Sequence, residues 1–149
     1  IDFGSAVIQR EPTLQRVFTP AYAAPEVLSE QRWTPQSDLA SLGYVVTELL
    51  AGRRLFPPAE SRDEHLAKKM ALPKELPQLL PEQVTRSARL MRFLGRLVAV
   101  APEHRFMSAV QADLDPDHGA YAFLQELARG GLDAEWRNDL GIWVDRIKD

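Results

Sequence analysis

The sequence of 149 residues is long enough for one ordinary domain, and its 45% apolar and 26% charged residues are typical of a folded globular chain. The net charge of −3, with acidic and basic residues interspersed, gives no reason to expect nucleic acid as a partner. The absence of cysteine excludes disulfides, thiolate metal sites and cysteine nucleophiles, and no apolar run approaches the roughly 18 residues that a membrane-spanning helix needs.

The N-terminal part of the chain predicts ordered loop with little regular structure. Residues 5–35 contain four prolines and no sustained hydrophobic period. The apolar stretch Ala6-Val7-Ile8 is at most a short strand, and no other strand pattern is present. A short helix is expected from Pro25 to about Ser29, because proline suits the first helical position.

Residues 36–51 predict the central helix of the fold. Thr34-Pro35 is a plausible helix start, and Gly52 is a stop signal. Its apolar side chains spread around most of the circumference, so we expect a helix that is buried on several sides. These side chains belong to Leu39, Leu42, Val45, Val46, Leu49 and Leu50.

The remaining chain predicts further helices. A short, surface-exposed helix is expected over residues 60–71, with Leu66 and Met70 facing inward and Lys68-Lys69 on a solvated face. Three prolines then predict a linker. The three histidines lack the paired spacing of metal ligands, so we expect them to be exposed. Later helices are expected over residues 82–100, 108–114 and 120–129, and from Asp133 to about residue 147.

Four motifs follow one another along the chain. They are Asp2-Phe3-Gly4, Thr-Pro-Ala-Tyr-Ala-Ala-Pro-Glu at residues 19–26, Ser-Asp-Leu-Ala-Ser-Leu-Gly at residues 37–43, and Pro-Glu-His-Arg-Phe at residues 102–106. In this order they resemble the activation segment and the following helices of the Ser/Thr protein kinase family. The resemblance implies a mainly α chain: the C-terminal lobe of the protein-kinase-like α+β fold, with the N-lobe and the catalytic loop absent.

The resemblance covers residues 1–114, which we interpret as a partial protein kinase domain, and leaves residues 115–149 as a helical C-terminal extension. It implies transfer of the ATP γ-phosphate to Ser or Thr of protein substrates, with ATP and Mg²⁺ as cofactors. The Gly-rich loop, the ATP-contacting lysine and the His-Arg-Asp catalytic loop do not occur, and the sequence does not begin with Met. We therefore expect a fragment that is inactive alone. We also expect a cytoplasmic location, although the full-length protein could carry a membrane anchor.

The resemblance also implies roles for the N-terminal residues. Asp2 would bind the Mg²⁺ that bridges the ATP phosphates, Phe3 would set Asp2 in or out, and Gly4 would allow the backbone torsions of that switch. Thr19 would support the missing catalytic Asp. Thr13 is a candidate phosphorylation site, and an unmodified, exposed Thr13 remains an equal alternative.

Three further residues are expected to be structural. Glu26 and Arg105 would form a buried ion pair between the activation segment and the later helices. Asp38 would accept hydrogen bonds from the catalytic-loop backbone, or complement the positive end of its helix, or do both. Ala40 departs from the family, which often has a large residue there, and this puts the detail of the substrate-side loop in doubt.

Two other functions compete with an active kinase. A pseudokinase scaffold would keep the fold without catalysis, and the intact Asp2 argues against it. An unrelated helical interaction module would require all four motif matches to be accidental. Within the kinase interpretation, Thr19-Pro20 favours Ser/Thr substrates over tyrosine.

Overall fold

The computed structural model describes residues 18–29 and 33–129, and in these ranges the chain is helical with no strand. This confirms the expected mainly α fold. The apolar stretch from Ala6 to Ile8, interpreted as at most a short strand, and the predicted helix from Asp133 lie outside the described residues. The elements are α1 (Pro25–Leu28), α2 (Pro35–Ala51), α3 (Arg62–Leu79), α4 (Glu82–Thr85), α5 (Ala88–Leu97), a 3₁₀ turn (Pro102–His104), α6 (Ala109–Leu114) and α7 (Ala120–Ala128).

Helices α2 and α5 pack against each other at the centre of the core. Their contact is close because Gly43 has no side chain: a Cβ there would lie 2.8 Å from Leu97 Cβ and 2.8 Å from Val98 Cγ1. Such distances are too short for two carbon atoms, so only glycine fits this contact. At its C-terminal end α2 stops at Gly52, whose positive φ of 64° lies in the left-handed region that favours glycine.

The burial of α2 differs from the expectation on one face. Leu39 and Tyr44 are buried as part of the core. Leu42, Val45 and Leu49 are exposed, and Leu49 shows 75% of its surface. A helix that is apolar on nearly every side is therefore only partly covered by the described residues.

Helix α3 is longer than the sequence predicts. It begins with a capping box, in which Ser61 N donates to Glu64 Oε2 at 2.7 Å and Ser61 Oγ accepts from Glu64 N at 3.3 Å. The helix then continues through Pro73 and Pro77, where a linker was expected. Its inward face consists of His65, Lys69, Leu72 and Leu76.

The predicted inward orientation holds for Leu66, which packs against the core, but was wrong for Met70. Met70 was expected to face inward but is 51% exposed. Leu72 and Leu76 are buried on either side of Pro73, and this packing outweighs the roughly 3 kcal/mol that each interior proline costs a helix. Tertiary packing has therefore overridden a local stop signal.

The single helix expected over residues 82–100 is divided by Ser87. Its Oγ accepts from Leu90 N at 3.2 Å, so Ser87 is the N-cap of α5 and separates it from the short α4. The same hydroxyl donates to Glu126 Oε1 of α7 at 3.1 Å, and Arg89 Nε lies 3.2 Å from Glu126 Oε2. Helix α7 is thus attached to α5 by two polar contacts.

The other helices have bounds close to those predicted, including α6 and α7. We find no helix in residues 18–29 and 33–129 that is both long and apolar enough to cross a membrane.

Candidate functional site

Residues 19–24, called here the turn segment, form a tight turn before α1. Thr19 O accepts from Tyr22 N at 2.9 Å and from Ala23 N at 3.0 Å. Ala21 and Ala23 are buried, whereas Thr19 and Pro20 are exposed. The turn therefore anchors its alanines in the core and presents the Thr19 side chain at the surface.

An ion pair connects α1, which directly follows the turn segment, to the loop after α5. Arg105 Nη1 donates to Glu26 Oε1 at 2.6 Å, and Nη2 donates to Glu26 Oε2 at 2.8 Å. Both residues are buried, with Arg105 1% exposed and Glu26 5% exposed. The guanidinium and the carboxylate meet as two parallel hydrogen bonds, the geometry that makes such pairs both strong and directional.

Backbone carbonyls occupy the remaining donors of Arg105. Its Nε donates to Ala99 O at 2.7 Å, Nη1 donates to Gln36 O at 3.0 Å, and Nη2 donates to Val100 O at 2.8 Å. All five N–H groups of the guanidinium therefore have an acceptor. Through this one side chain α1, the start of α2 and the loop after α5 are held together.

Ser37 completes the surroundings of Glu26. Its Oγ donates to Glu26 Oε1 at 2.7 Å and accepts from Thr34 N at 3.1 Å. Burial by itself raises the pKa of the Glu26 carboxyl, but hydrogen bonds from Arg105 and Ser37 outweigh it, and the pKa is lowered overall. Glu26 is therefore ionised in the folded protein.

Lys69 of α3 makes direct contacts with the turn segment. Its Nζ donates to Pro20 O at 2.7 Å and to Ala23 O at 2.6 Å. The ammonium lies 4.9 Å from the centre of the Tyr44 ring and 5.1 Å from that of Phe56, close enough for a cation–π interaction. The residue is 0% exposed, so the expected solvated face for Lys69 was wrong.

Lys69 is shielded from solvent and forms no ion pair with a carboxylate of the described residues. Burial lowers the pKa of Lys69 to about 7, against a smaller opposing effect of Glu48. His65, one turn earlier on α3, is also buried, and burial together with the charge of Lys69 lowers its pKa. The expectation of an exposed histidine is thus wrong for His65, whereas His104 is exposed.

The spacing of α3 contained the signal that would have identified Lys69. His65, Lys69, Leu72 and Leu76 follow one another at intervals of four, three and four residues, which places them on one helix face. Because Lys69 shares that face with two buried leucines, it could have been assigned to the core. The two adjacent charges of Lys68 and Lys69 instead favoured the prediction of a solvated face.

Glu48 fixes the turn segment at a third point. Tyr22 Oη donates to Glu48 Oε2 at 3.2 Å, while Glu48 Oε1 accepts from Leu55 N at 2.8 Å and Phe56 N at 3.0 Å. The carboxylate thereby joins the turn segment to the loop that follows α2. Burial, followed by the charge of Glu48, raises the pKa of the Tyr22 hydroxyl.

The comparison with known families agrees with this architecture. A model of the protein kinase domain matches residues 1–114. The chain belongs to the protein kinase family. The resemblance inferred from the four motifs is therefore confirmed, as is the expected fold of a kinase C-lobe.

Individual kinases share part of their length with this chain. Serine/threonine-protein kinase AFC2 of Arabidopsis thaliana is 35% identical over 97 residues, covering 65% of this chain and 22% of the relative. Human dual specificity protein kinase CLK2 is 32% identical over 96 residues, which cover 64% of this chain and 18% of the relative. The probable dual specificity protein kinase madd-3 of Caenorhabditis elegans is 45% identical over 67 residues, covering 45% and 7%. The chain thus spans less than a quarter of these relatives.

Two residues with expected kinase roles lie at the surface of the described structure. Thr19 is exposed, and no group in the described part of the chain forms a hydrogen bond with its hydroxyl. Asp38 lies in the first turn of α2, is exposed, and likewise accepts no hydrogen bond from that part of the chain. Partial burial of the carboxyl raises the pKa of Asp38. Their contacts with a catalytic loop stay predictions.

The remaining kinase residues of the sequence lie outside the described ranges. They are Asp2, Phe3, Gly4 and Thr13. Within residues 18–29 and 33–129, no group of three or more His, Asp or Glu side chains could hold a metal ion. Metal binding by Asp2, phosphorylation of Thr13 and the domain division after residue 114 stay predictions.

Proposed function

We propose that this chain is part of an ATP- and Mg²⁺-dependent protein kinase that phosphorylates serine or threonine in protein substrates. The observation that carries the proposal is the buried ion pair of Glu26 and Arg105, because it secures α1, the helix that directly follows the turn segment, to the later part of the core. Phosphoryl transfer depends mainly on positioning and electrostatic stabilisation. A segment anchored in this way suits the task of receiving a protein substrate in one geometry.

Each site residue has a role in this proposal. The turn segment receives the residue that follows the phosphoacceptor, and the Thr19 hydroxyl hydrogen-bonds the catalytic Asp. The Asp38 carboxylate accepts hydrogen bonds from the catalytic-loop backbone. Asp2 is the metal ligand, and Phe3 and Gly4 control its orientation. When bound, ATP and Mg²⁺ supply the transferred phosphoryl group and neutralise its charge.

The activity requires parts of the enzyme that this chain does not contain. The relatives are several times longer, and no Gly-rich loop or His-Arg-Asp motif occurs in the sequence. We therefore expect no phosphoryl transfer by the 149 residues alone. We place the activity in the cytoplasm as part of the same proposal, because the chain would there meet ATP and protein substrates.

The preference for serine and threonine rests on Thr19-Pro20 and on the name of the plant relative. Two other relatives are named dual specificity kinases, so transfer to tyrosine as well is the competing outcome. Phosphoamino-acid analysis of a labelled protein substrate distinguishes the two. Label on serine and threonine alone supports the proposal, and additional label on tyrosine assigns dual specificity.

The central test is phosphoryl transfer by the full-length natural protein that contains this chain. We expect transfer of radioactive phosphate from γ-labelled ATP to a general protein substrate in the presence of Mg²⁺. Asp2→Asn should abolish it, because the amide removes the negative charge that the metal requires. Asp113→Asn is the matched control, since Asp113 is an exposed aspartate of α6.

The result of this test distinguishes an active kinase from a pseudokinase scaffold. Loss of transfer in Asp2→Asn with normal transfer in Asp113→Asn supports an active kinase. A full-length protein that folds and binds partners but transfers no phosphate would establish a pseudokinase instead.

A further inference from the structure

Lys69 provides the hydrogen bonds that two carbonyls of the turn segment need. Its Nζ donates to Pro20 O at 2.7 Å and Ala23 O at 2.6 Å, and no backbone N–H in residues 18–29 and 33–129 donates to either oxygen. Ala24, the next residue, has its carbonyl bonded to Val27 N and Leu28 N of α1. Lys69 thus donates to the two carbonyl oxygens of the turn that receive no hydrogen bond from the backbone of the described residues.

An apolar side chain at position 69 would cost less free energy to bury than a lysine does. Lys69 is flanked by the rings of Tyr44 and Phe56, is fully buried, and forms no ion pair with any carboxylate of the described residues. Burying an amine without a paired anion is costly unless its donors are used. Here two donors are used, and both go to the turn segment, so the contacts that justify the lysine are those with Pro20 and Ala23.

The hydrogen bonds of Lys69 connect α3 to an exposed and to a buried residue of the turn. Pro20 and Thr19 lie at the surface, while Ala23 lies inside. By bonding Pro20 O and Ala23 O at once, one ammonium fixes the orientation of both ends of the turn. The surface that Thr19 and Pro20 present therefore depends on a side chain located 49 residues later in the sequence.

We propose that Lys69 is a positioning residue that holds the turn segment in the conformation that accepts a protein substrate. This inference rests on the proposed kinase function and extends it to α3. Lys69 touches neither substrate nor ATP, and it acts through the backbone of residues 20–23. Its loss should therefore weaken the binding of protein substrate and leave the binding of ATP unchanged.

The first experiment measures steady-state kinetics of the full-length natural protein with Lys69→Met. Methionine has a similar length and shape and lacks the N–H donors. We expect KM for the protein substrate to rise on the order of tenfold, because a displaced segment binds less well, while KM for ATP stays the same. A general folding defect would lower the amount of active enzyme and therefore kcat, without changing either KM.

Lys68→Met is the matched control. Lys68 precedes Lys69 on the same helix and has an exposed side chain that binds Glu60 and Leu55 O. Removing it deletes the same charge and leaves the turn segment untouched. Its KM values should equal those of the unaltered protein. If both variants raise KM for the protein substrate equally, the effect is one of charge and the proposal fails.

The second experiment does not depend on activity. Hydrogen–deuterium exchange reports the amides of Tyr22 and Ala23, which donate to Thr19 O inside the turn. We expect their exchange to become at least about tenfold faster in Lys69→Met and to stay unchanged in Lys68→Met. If Lys69→Met does not fold, Lys69→Gln replaces it, because its shorter amide can reach at most one of the two carbonyls.

The two experiments have separate meanings. Faster exchange together with a raised KM for protein substrate establishes the positioning role. Unchanged exchange in the folded variant overturns it, whatever the kinetics show. If the natural protein transfers no phosphate but exchange still responds to Lys69, the kinase proposal fails and the attachment of the turn by Lys69 survives.

Discussion

Arg105 and Lys69 are both buried cations that hold neighbouring parts of one stretch of chain, but they do so in different surroundings. Arg105 faces the carboxylate of Glu26 and uses all five of its donors. Lys69 faces two neutral carbonyls and two aromatic rings. The charge of Arg105 is thus balanced by a carboxylate in direct contact, whereas no carboxylate of the described residues is in direct contact with Lys69.

The two attachments differ in how firmly the charge of the cation is fixed. A guanidinium stays protonated at any pH at which proteins fold, and its planar fork suits a carboxylate. An amine loses its proton readily when it is buried, and burial lowers the pKa of Lys69 to about 7. The cation that holds α1 therefore keeps its charge under all ordinary conditions, whereas the charge of the amine that holds the turn segment depends on pH.

The largest effect is expected from breaking the balanced pair. Arg105→Ala or Glu26→Ala should each lower the free energy of unfolding by about 3–5 kcal/mol, because each leaves its partner charged and buried. The double variant should lose clearly less than the sum of the two. Urea unfolding of the full-length protein measures this.

A control exists for the same chemistry at the surface. Arg86 and Glu82 form an exposed pair at 2.8 Å, and Arg86→Ala should cost at most about 1 kcal/mol. Additive losses for Glu26 and Arg105 would mean that the two residues stabilise the fold independently.

An intermediate effect is expected from pH at Lys69. Between about pH 7 and pH 10.5 the unfolded chain holds a proton on this amine that the folded chain lacks. The free energy of unfolding should therefore rise with pH in this range, by at most about 1.4 kcal/mol per pH unit. The pKa of His65 is lowered from 6.5, so His65 titrates below the range.

The matched variants locate the source of this rise. In Lys69→Met the contribution disappears, and in Lys68→Met it persists. The measurement is a series of urea unfolding curves from about pH 7 to about pH 9. The same slope in the wild type and in Lys69→Met would show that Lys69 stays protonated in the fold.

The smallest effect is expected at Ser37. Ser37→Ala removes a hydrogen bond to the Glu26 carboxylate and the acceptor for Thr34 N, which should cost about 1–2 kcal/mol. Ser41→Ala is the control on the same helix, because its hydroxyl donates to the backbone oxygen Ser37 O, and its loss should be within about 0.5 kcal/mol. Thermal or urea unfolding measures the loss of stability in each variant. Equal losses would mean that the Ser37 hydroxyl does not stabilise the ion pair of Glu26 and Arg105.

Much of the fold could be predicted because its signals are local or belong to a family motif. Proline at the first helical position located α1, the Pro35 and Gly52 signals located α2, and the motif at residues 102–106 pointed to Arg105. The contact between Glu26 and Arg105 joins residues far apart in sequence, so it could be inferred only from the resemblance to kinases.

The errors have a common physical cause, which is packing that local rules do not contain. Pro73 and Pro77 stay inside α3 because the leucines beside them are buried. Lys69 lies in the core because two carbonyls and two rings accept its ammonium there. Neither partner set is visible from the neighbours of the residue in sequence.

The absence of a side chain at Gly43 also has a consequence at a distance. Ala99 and Val100, whose carbonyls accept from Arg105, come directly after Leu97 and Val98, the two residues that press on Gly43. An added methyl group would force α2 and α5 apart and carry those acceptors away from the guanidinium. The spacing between two helices thereby determines whether an arginine outside both of them can keep its full set of bonds.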